Sequence, residues 1–261
     1  MRPHRIHLTA RSQAKNGAPL LIFLPGMDGS DLSLQSQTAE LAIAFDARCF
    51  CIPEDDTTDW VGLVKRLVEL VAIEQQAQPQ RPIYLCGESF GACLALKVMG
   101  DRPDLFERLI LINPASSFNR QPWQGLVPLV QWVPSITYPF AALGLLPFLT
   151  ALDRISTPNR QALLQSMQRV TPKTTAWRMT LLREFQISPV RLAQVTVPVL
   201  LVASTADRLL PSVNEVKRLA RIFPHAQTTF LKHSGHICLL ESEVSLYQIL
   251  QQSQFVPAVA V

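Results

Sequence analysis

Short unbroken apolar runs recur along the chain, each followed by a longer stretch in which apolar residues return every three or four positions. The first clear run is Pro19-Leu20-Leu21-Ile22-Phe23-Leu24. Others cover Ile83 to Cys86, Leu109 to Ile112 and Val199 to Ala203, and further strands are predicted at Arg48 to Ile52 and Thr228 to Leu231. Runs without polar alternation are what strands buried on both faces require. Val61, Val64, Leu67, Val68 and Val71 lie on one helical face within Thr58 to about Gln76. Further helices are predicted from Ser30 to about Asp46, over Ser212 to Ile222 and over Val244 to Gln251. Weak alternation from Arg5 to Thr9, then Asn16-Gly17, predicts a first strand and a hairpin turn. Strand and helix in alternation define an α/β chain, with a mostly parallel, doubly wound sheet covered by helices on both faces.

The rhythm stops at Ala115 and resumes near Pro189. No charged residue occurs between Arg120 and Asp153, and Trp123, Trp132, Tyr138, Phe140 and Phe148 are interleaved with Pro122, Pro128, Pro134, Pro139 and Pro147. Length and polarity alone would suit a membrane span. The prolines argue against one straight helix, because each removes a backbone hydrogen bond. A cap of short helices over the carboxyl edge of the sheet fits better, with a plain core insertion as the alternative. The five aromatic residues are the candidates for lining an apolar pocket beneath that cap. The predicted division is an α/β core of residues 1–114 and 189–261 with a cap inserted at 115–188.

Composition narrows the class without changing it. At 261 residues the chain suits one large domain with a sizeable core, and 48% hydrophobic against 17% charged residues lies on the apolar side. The net charge of +4 is scattered, so no nucleic-acid footprint is expected. Cys49, Cys51, Cys86, Cys93 and Cys238 sit in apolar surroundings, with neither disulfide nor zinc spacing, and read as core residues of a reduced compartment. The opening residues contain no apolar run suited to a signal peptide, which makes a cytoplasmic location the expectation.

Chemistry concentrates between Tyr84 and Leu96. A strand runs into Gly87-Glu88-Ser89-Phe90-Gly91 and then into a helix without charge until Lys97. This is the G-x-S-x-G pattern of a nucleophile elbow in strand–turn–helix context. The turn is so tight that side chains two positions either side of Ser89 would meet the neighbouring strand, hence Gly87 and Gly91. Ala92, Cys93 and Ala95 keep the helix thin where it passes beneath the sheet. A serine nucleophile needs a base, and the base an orienting group. The acid is expected after a late strand, where Asp207 follows Val199 to Ala203; a turn or helix-cap role is its alternative. The rival place after Ile112 holds Asn113, which cannot act as a carboxylate. Beyond the last strand stand His233 and His236. His236 is preferred, because Gly235 precedes it and an apolar helix start follows. The oxyanion needs two backbone N–H groups, for which Phe90 and Met27 are the candidates. Asp28 reads as a loop or capping residue. The order serine, acid, base is that of the α/β-hydrolases.

Several runs together resemble one family. They are Leu24-Pro25-Gly26-Met27-Asp28-Gly29-Ser30, the Gly87 to Leu96 run, Asn113-Pro114-Ala115-Ser116-Ser117-Phe118, Ala206 to Ser212, and Ser234 to Glu241. Through them the chain is similar to the esterase/lipase/thioesterase group that includes phytyl ester synthases of plants and their cyanobacterial relatives. The resemblance implies the α/β-hydrolase fold, and lipid acyl groups as substrates, passed to phytol or diacylglycerol or released to water. Plant members continue into an acyltransferase-like module with a His-x4-Asp motif. The present sequence has none, the nearest form being His236 to Glu241 in the loop of the candidate base. Hydrolysis of a carboxylic ester or thioester of a hydrophobic acyl group, through acyl-Ser89, is therefore expected. Acyl transfer to a lipid alcohol is the neighbouring alternative, and a non-catalytic lipid-binding module the distant one. The same scaffold also serves lyases and peroxidases. No cofactor or metal is expected. The partner is a small lipid ester or thioester, and the apolar cap offers a surface for peripheral contact with a membrane or lipid body.

Overall fold

Short runs, the central ones buried throughout, build one seven-stranded sheet. The computed structural model describes residues 5–10, 17–122, 124, 125 and 138–256, without the side chains at 10 and 138–142. Its strands are β1 (His7–Ala10), β2 (Leu20–Leu24), β3 (Asp46–Cys51), β4 (Ile83–Glu88), β5 (Arg108–Ile112), β6 (Val199–Ser204) and β7 (Ala226–Leu231). They lie in the order β1-β3-β2-β4-β5-β6-β7, with β1 antiparallel to β3 and every other pair parallel. The helices are α1 (Leu32–Gln35), α2 (Thr38–Leu41), α3 (Trp60–Ala77), α4 (Phe90–Asp101), α5 (Tyr138–Leu149), α6 (Thr157–Arg169), α7 (Pro172–Arg183), α8 (Pro189–Ala193), α9 (Ser212–Ala220) and α10 (Leu246–Gln252).

Successive residues of each central strand face opposite cores. Leu20, Ile22 and Leu24 join Leu85, Leu109, Leu111, Val199 and Leu201 against α3, α4 and α9. Leu21 and Phe23 join Tyr84, Cys86, Ile110, Ile112 and Leu200 against α2 and α10. Each such side chain stabilises by roughly 1.5–3 kcal/mol relative to exposure, which explains why these strands carry no polar alternation. Between β5 and β6 the chain leaves the sheet for a 3₁₀ turn at Ala115–Arg120 and helices α5, α6 and α7. Leu146 of α5 and Leu163 of α6 pack with Leu240, which lies beyond β7.

Two expectations fail. β1 does not pair with β2 across a hairpin at Asn16-Gly17; it pairs with β3, His7 opposite Cys51. The inner place beside β2 goes to β3, whose Ala47, Cys49 and Phe50 are fully buried, while the more polar β1 takes the edge. Nor is the stretch after Ser30 one helix. It breaks between α1 and α2, where the buried Gln37 turns inward: its amide nitrogen donates to the carbonyls of Leu239 (2.8 Å) and Val244 (3.0 Å), and its oxygen accepts from the Leu246 N–H (2.7 Å). Among the described residues no helix is long and apolar enough to cross a membrane.

Candidate active site

The elbow at the end of β4 puts Ser89 at φ 53°, a left-handed conformation unusual for a residue other than glycine. A Cβ on Gly91 would lie 2.0 Å from the Leu24 carbonyl oxygen at the end of β2, so only glycine fits there. Gly87 is constrained differently from the expectation. Its Cβ would meet the start of α4 itself, 2.6 Å from the Gly91 oxygen, and not a neighbouring strand. Main-chain bonds lock the turn: the Ser89 N–H donates to the Ile112 carbonyl (3.0 Å), and the Ser89 carbonyl accepts from Ala92 (3.1 Å) and Ala115 (3.2 Å).

Loops after β6 and β7 bring the other two groups to this serine. His236 Nε2 lies 2.8 Å from Ser89 Oγ, and His236 Nδ1 lies 2.7 Å from Asp207 Oδ2. The histidine is 2% exposed. Asp207 Oδ1 accepts the N–H groups of Leu209 (2.9 Å) and Leu210 (3.0 Å), while Oδ2 also accepts the Ser212 hydroxyl. Burial pushes the Asp207 carboxyl up, yet the charge and hydrogen bond of His236, with the Ser212 and Leu210 bonds, outweigh it and hold the group below the usual carboxylate value. Burial likewise opposes the imidazolium form of His236, but Asp207 carries it above the usual histidine value, with a smaller contribution from Glu88. Each partner thus favours the charged form of the other.

His233 is exposed, at φ 62°, with its main-chain N–H on the Thr205 hydroxyl (3.1 Å). Asn113, at the rival position for the acid, is fully buried and splices the two loops. It donates to the His236 carbonyl (2.6 Å) and to Ser204 Oγ (2.9 Å), and accepts from the Ser204 N–H (2.7 Å). Glu241 accepts the Gly235 N–H (2.7 Å) and pairs with Arg154 (2.9 Å), which steadies the histidine loop.

Among the described residues the N–H groups of Met27 and Phe90 have no hydrogen-bond partner. The Phe90 ring is held by stacking on Trp60 (4.7 Å between centroids, 23° between planes), and Trp60 donates to the Leu181 carbonyl (3.0 Å). Asp28 is a loop residue whose carboxylate accepts the hydroxyls of Ser30 and, from α6, Ser166. Glu88 carries no distinguishing sequence signal beyond its place in the elbow. It is 2% exposed, and burial pushes its carboxyl up to about 7, against a hydrogen bond from Ser33 and the charge of His236. Of the pocket candidates, Trp123 and Trp132 lie outside the described residues, as do the side chains of Tyr138 and Phe140 on α5. Phe148, also on α5, is 50% exposed. Nothing among the described residues clusters as a metal site.

Sheet order, elbow and the Ser89–His236–Asp207 geometry are those of an α/β-hydrolase of the serine type. The family model described as serine aminopeptidase, S33 (Hydrolase_4) matches residues 55–243, and the chain belongs to that family. It is 36% identical over 257 residues to "Phytyl ester synthase 1, chloroplastic" of Arabidopsis thaliana, covering 90% of this chain and 36% of that protein. To "Phytyl ester synthase 2, chloroplastic" of the same plant it is 32% identical over 276 residues, covering 95% of this chain and 39% of that one. The chain thus spans less than two-fifths of the length of these relatives. In fold it resembles MGS-M2, an alpha/beta hydrolase enzyme from a Medee basin deep-sea metagenome library. The TM-score is 0.77 at 15% identity, over 98% of this chain and 95% of that one. Membership of that family makes the chain an enzyme of the α/β-hydrolase kind.

Proposed function

We propose that the chain cleaves carboxylic esters or thioesters of hydrophobic acyl groups through an acyl-Ser89 intermediate. The carrying observation is the continuous hydrogen-bonded line from Ser89 through His236 to Asp207. His236 Nε2 takes the proton as Ser89 Oγ attacks the substrate carbonyl, and Asp207 holds the imidazole in the tautomer whose Nε2 can accept it. The N–H groups of Met27 and Phe90 receive the oxyanion, each worth about 3 kcal/mol in the transition state. Collapse expels the alcohol or thiol, which receives the proton from His236. Water, deprotonated by the same imidazole, then releases the acid and restores Ser89.

The lipid substrate is supported by the sequence of the segment from Gln121 to Leu152, which carries no charge and is rich in aromatic residues. Leu143, Leu145 and Phe148 of α5 are 54, 45 and 50% exposed, which suits peripheral contact with a lipid surface. Five cysteines in mostly buried, apolar surroundings fit a reducing compartment such as the cytoplasm. The second reading is transfer of the acyl group to a lipid alcohol, favoured by the names of the two plant relatives.

The test is a chain-length series of p-nitrophenyl esters and acyl thioesters, with and without a long-chain alcohol, followed by product identification. Each methylene buried contributes ~0.8 kcal/mol. Specificity (kcat/KM) should therefore climb several-fold per two carbons until the site is full, with free acid as product. A preference for acetyl esters that falls with chain length sinks the lipid reading. Alcohol esters as the main product replace hydrolysis by transfer.

A further inference from the structure

We infer that Arg178, on α7, is the positioning residue of the oxyanion hole. The inference rests on the proposed hydrolase reading. The side chain is 2% exposed, on a helix that sequence separates from the elbow and from the Met27 loop alike. Its Nη1 donates to the Met27 carbonyl (2.8 Å) and its Nη2 to the Pro53 carbonyl (2.6 Å). Taking a guanidinium out of water is costly unless strong acceptors receive it, and two of those acceptors are the main-chain carbonyls of the loops after β2 and β3.

The Met27 carbonyl belongs to a closed turn. The Gly29 N–H donates to the Gly26 carbonyl (3.0 Å), closing a four-residue turn with Met27 and Asp28 at its centre. The central peptide of a β-turn is the one that flips between turn types, and its carbonyl here is that of Met27. Arg178 pins that carbonyl. The Met27 N–H lies in one planar peptide with the Gly26 carbonyl, which the Gly29 bond holds in place. By fixing the peptide that follows, Arg178 keeps this turn closed, so the Met27 N–H keeps one direction, as a preorganised oxyanion donor must. From α6, the Ser166 hydroxyl holds the adjacent Asp28 carboxylate. Trp60, which stacks on Phe90, donates to Leu181 of the same helix as Arg178. Both oxyanion donors are thus braced from α7. The two helices do more than cover the acyl group: they keep the hole in its working shape before substrate arrives.

The experiment compares wild type, Arg178→Ala and Arg178→Lys. Measured are kcat and KM on the best p-nitrophenyl ester, and Ki for a trifluoromethyl ketone with the same acyl chain, whose adduct with Ser89 places an oxyanion in the hole. Arg178→Ala should lower kcat by about 10–100-fold with KM within twofold, and weaken Ki by the same factor. Arg178→Lys, which reaches one carbonyl only, should fall between. Guanidinium at millimolar concentration should restore part of kcat in Arg178→Ala without moving KM. If Arg178→Ala does not fold, Arg178→Lys carries the same comparison of kcat with Ki. Unchanged kcat in a folded variant overturns the inference, as does a kcat loss that leaves Ki unmoved. Wild type that neither hydrolyses esters nor is labelled at Ser89 by a fluorophosphonate overturns the hydrolase reading instead.

Discussion

Asp207→Asn tests the line of hydrogen bonds at its far end. Four donors converge on that carboxylate: two main-chain N–H groups on Oδ1, and Ser212 and His236 on Oδ2. Asparagine can keep the two main-chain bonds through its oxygen, and Ser212 can rotate to accept from the new amide. His236 cannot adjust without harm. An amide nitrogen facing Nδ1 donates to it, which moves the imidazole proton to Nε2, where it can no longer accept a proton from Ser89. The same tautomer error in a serine protease costs ~10⁴-fold in kcat, and a loss of that size, about 5 kcal/mol of activation free energy, is expected here. Loss of the carboxylate also removes the charge that raises the His236 pKa. The acid limb of the kcat/KM profile, which in wild type should lie above the ordinary histidine value of ~6.5, should move to lower pH in the variant.

Linkage adds a stability signature. The depressed Asp207 value contributes stability that is present above the unfolded value and lost as pH falls through the folded one. The raised His236 value contributes stability present below its unfolded value and lost as pH rises through the folded one. Both groups are charged near pH ~5, so denaturant titrations should show the largest destabilisation by Asp207→Asn there and a smaller one in alkali. His233→Ala, made beside it, should leave kcat nearly unchanged. A loss under tenfold in Asp207→Asn, or an acid limb that does not shift, would refute the argument.

Ser89→Ala should abolish turnover and fluorophosphonate labelling while keeping the far-ultraviolet dichroism of wild type; labelling that persists moves the nucleophile elsewhere. Glu88→Gln tests a buried carboxyl whose folded pKa is raised to about 7. A raised acid binds its proton more tightly when folded, so wild type loses stability as pH rises from the unfolded value through the folded one. Thermal melts should therefore show Glu88→Gln more stable than wild type by on the order of 3 kcal/mol near pH ~8, and little changed near pH ~4. Equal differences at both pH values would show that Glu88 is not titrating in this range.

Sequence by itself determined the strands, the elbow and the order of the candidate site residues. Local periodicity reports burial directly, so Leu20 to Leu24 and Val199 to Ala203 announced themselves as strands covered on both faces. Gly87 answers to a steric limit within five residues, the start of α4, whereas Gly91 answers to the close approach of β2. What tertiary structure decided was which polar groups meet once buried. β1 could have followed the Gly17 turn to β2, but the more apolar β3 took that edge, a competition no local pattern expresses. Gln37, Asn113, Ser166, Arg178 and Glu241 look in sequence like ordinary polar residues. Each reaches partners distant in the chain, and the sheet order and the crossing helices bring them together. A buried donor or acceptor must find a partner or cost free energy on the order of 1–3 kcal/mol. That requirement selects the pairs only after the backbone has set who is within reach, which is why His236 and Asp207 were readable from their places after strands, and the arginine behind Met27 was not.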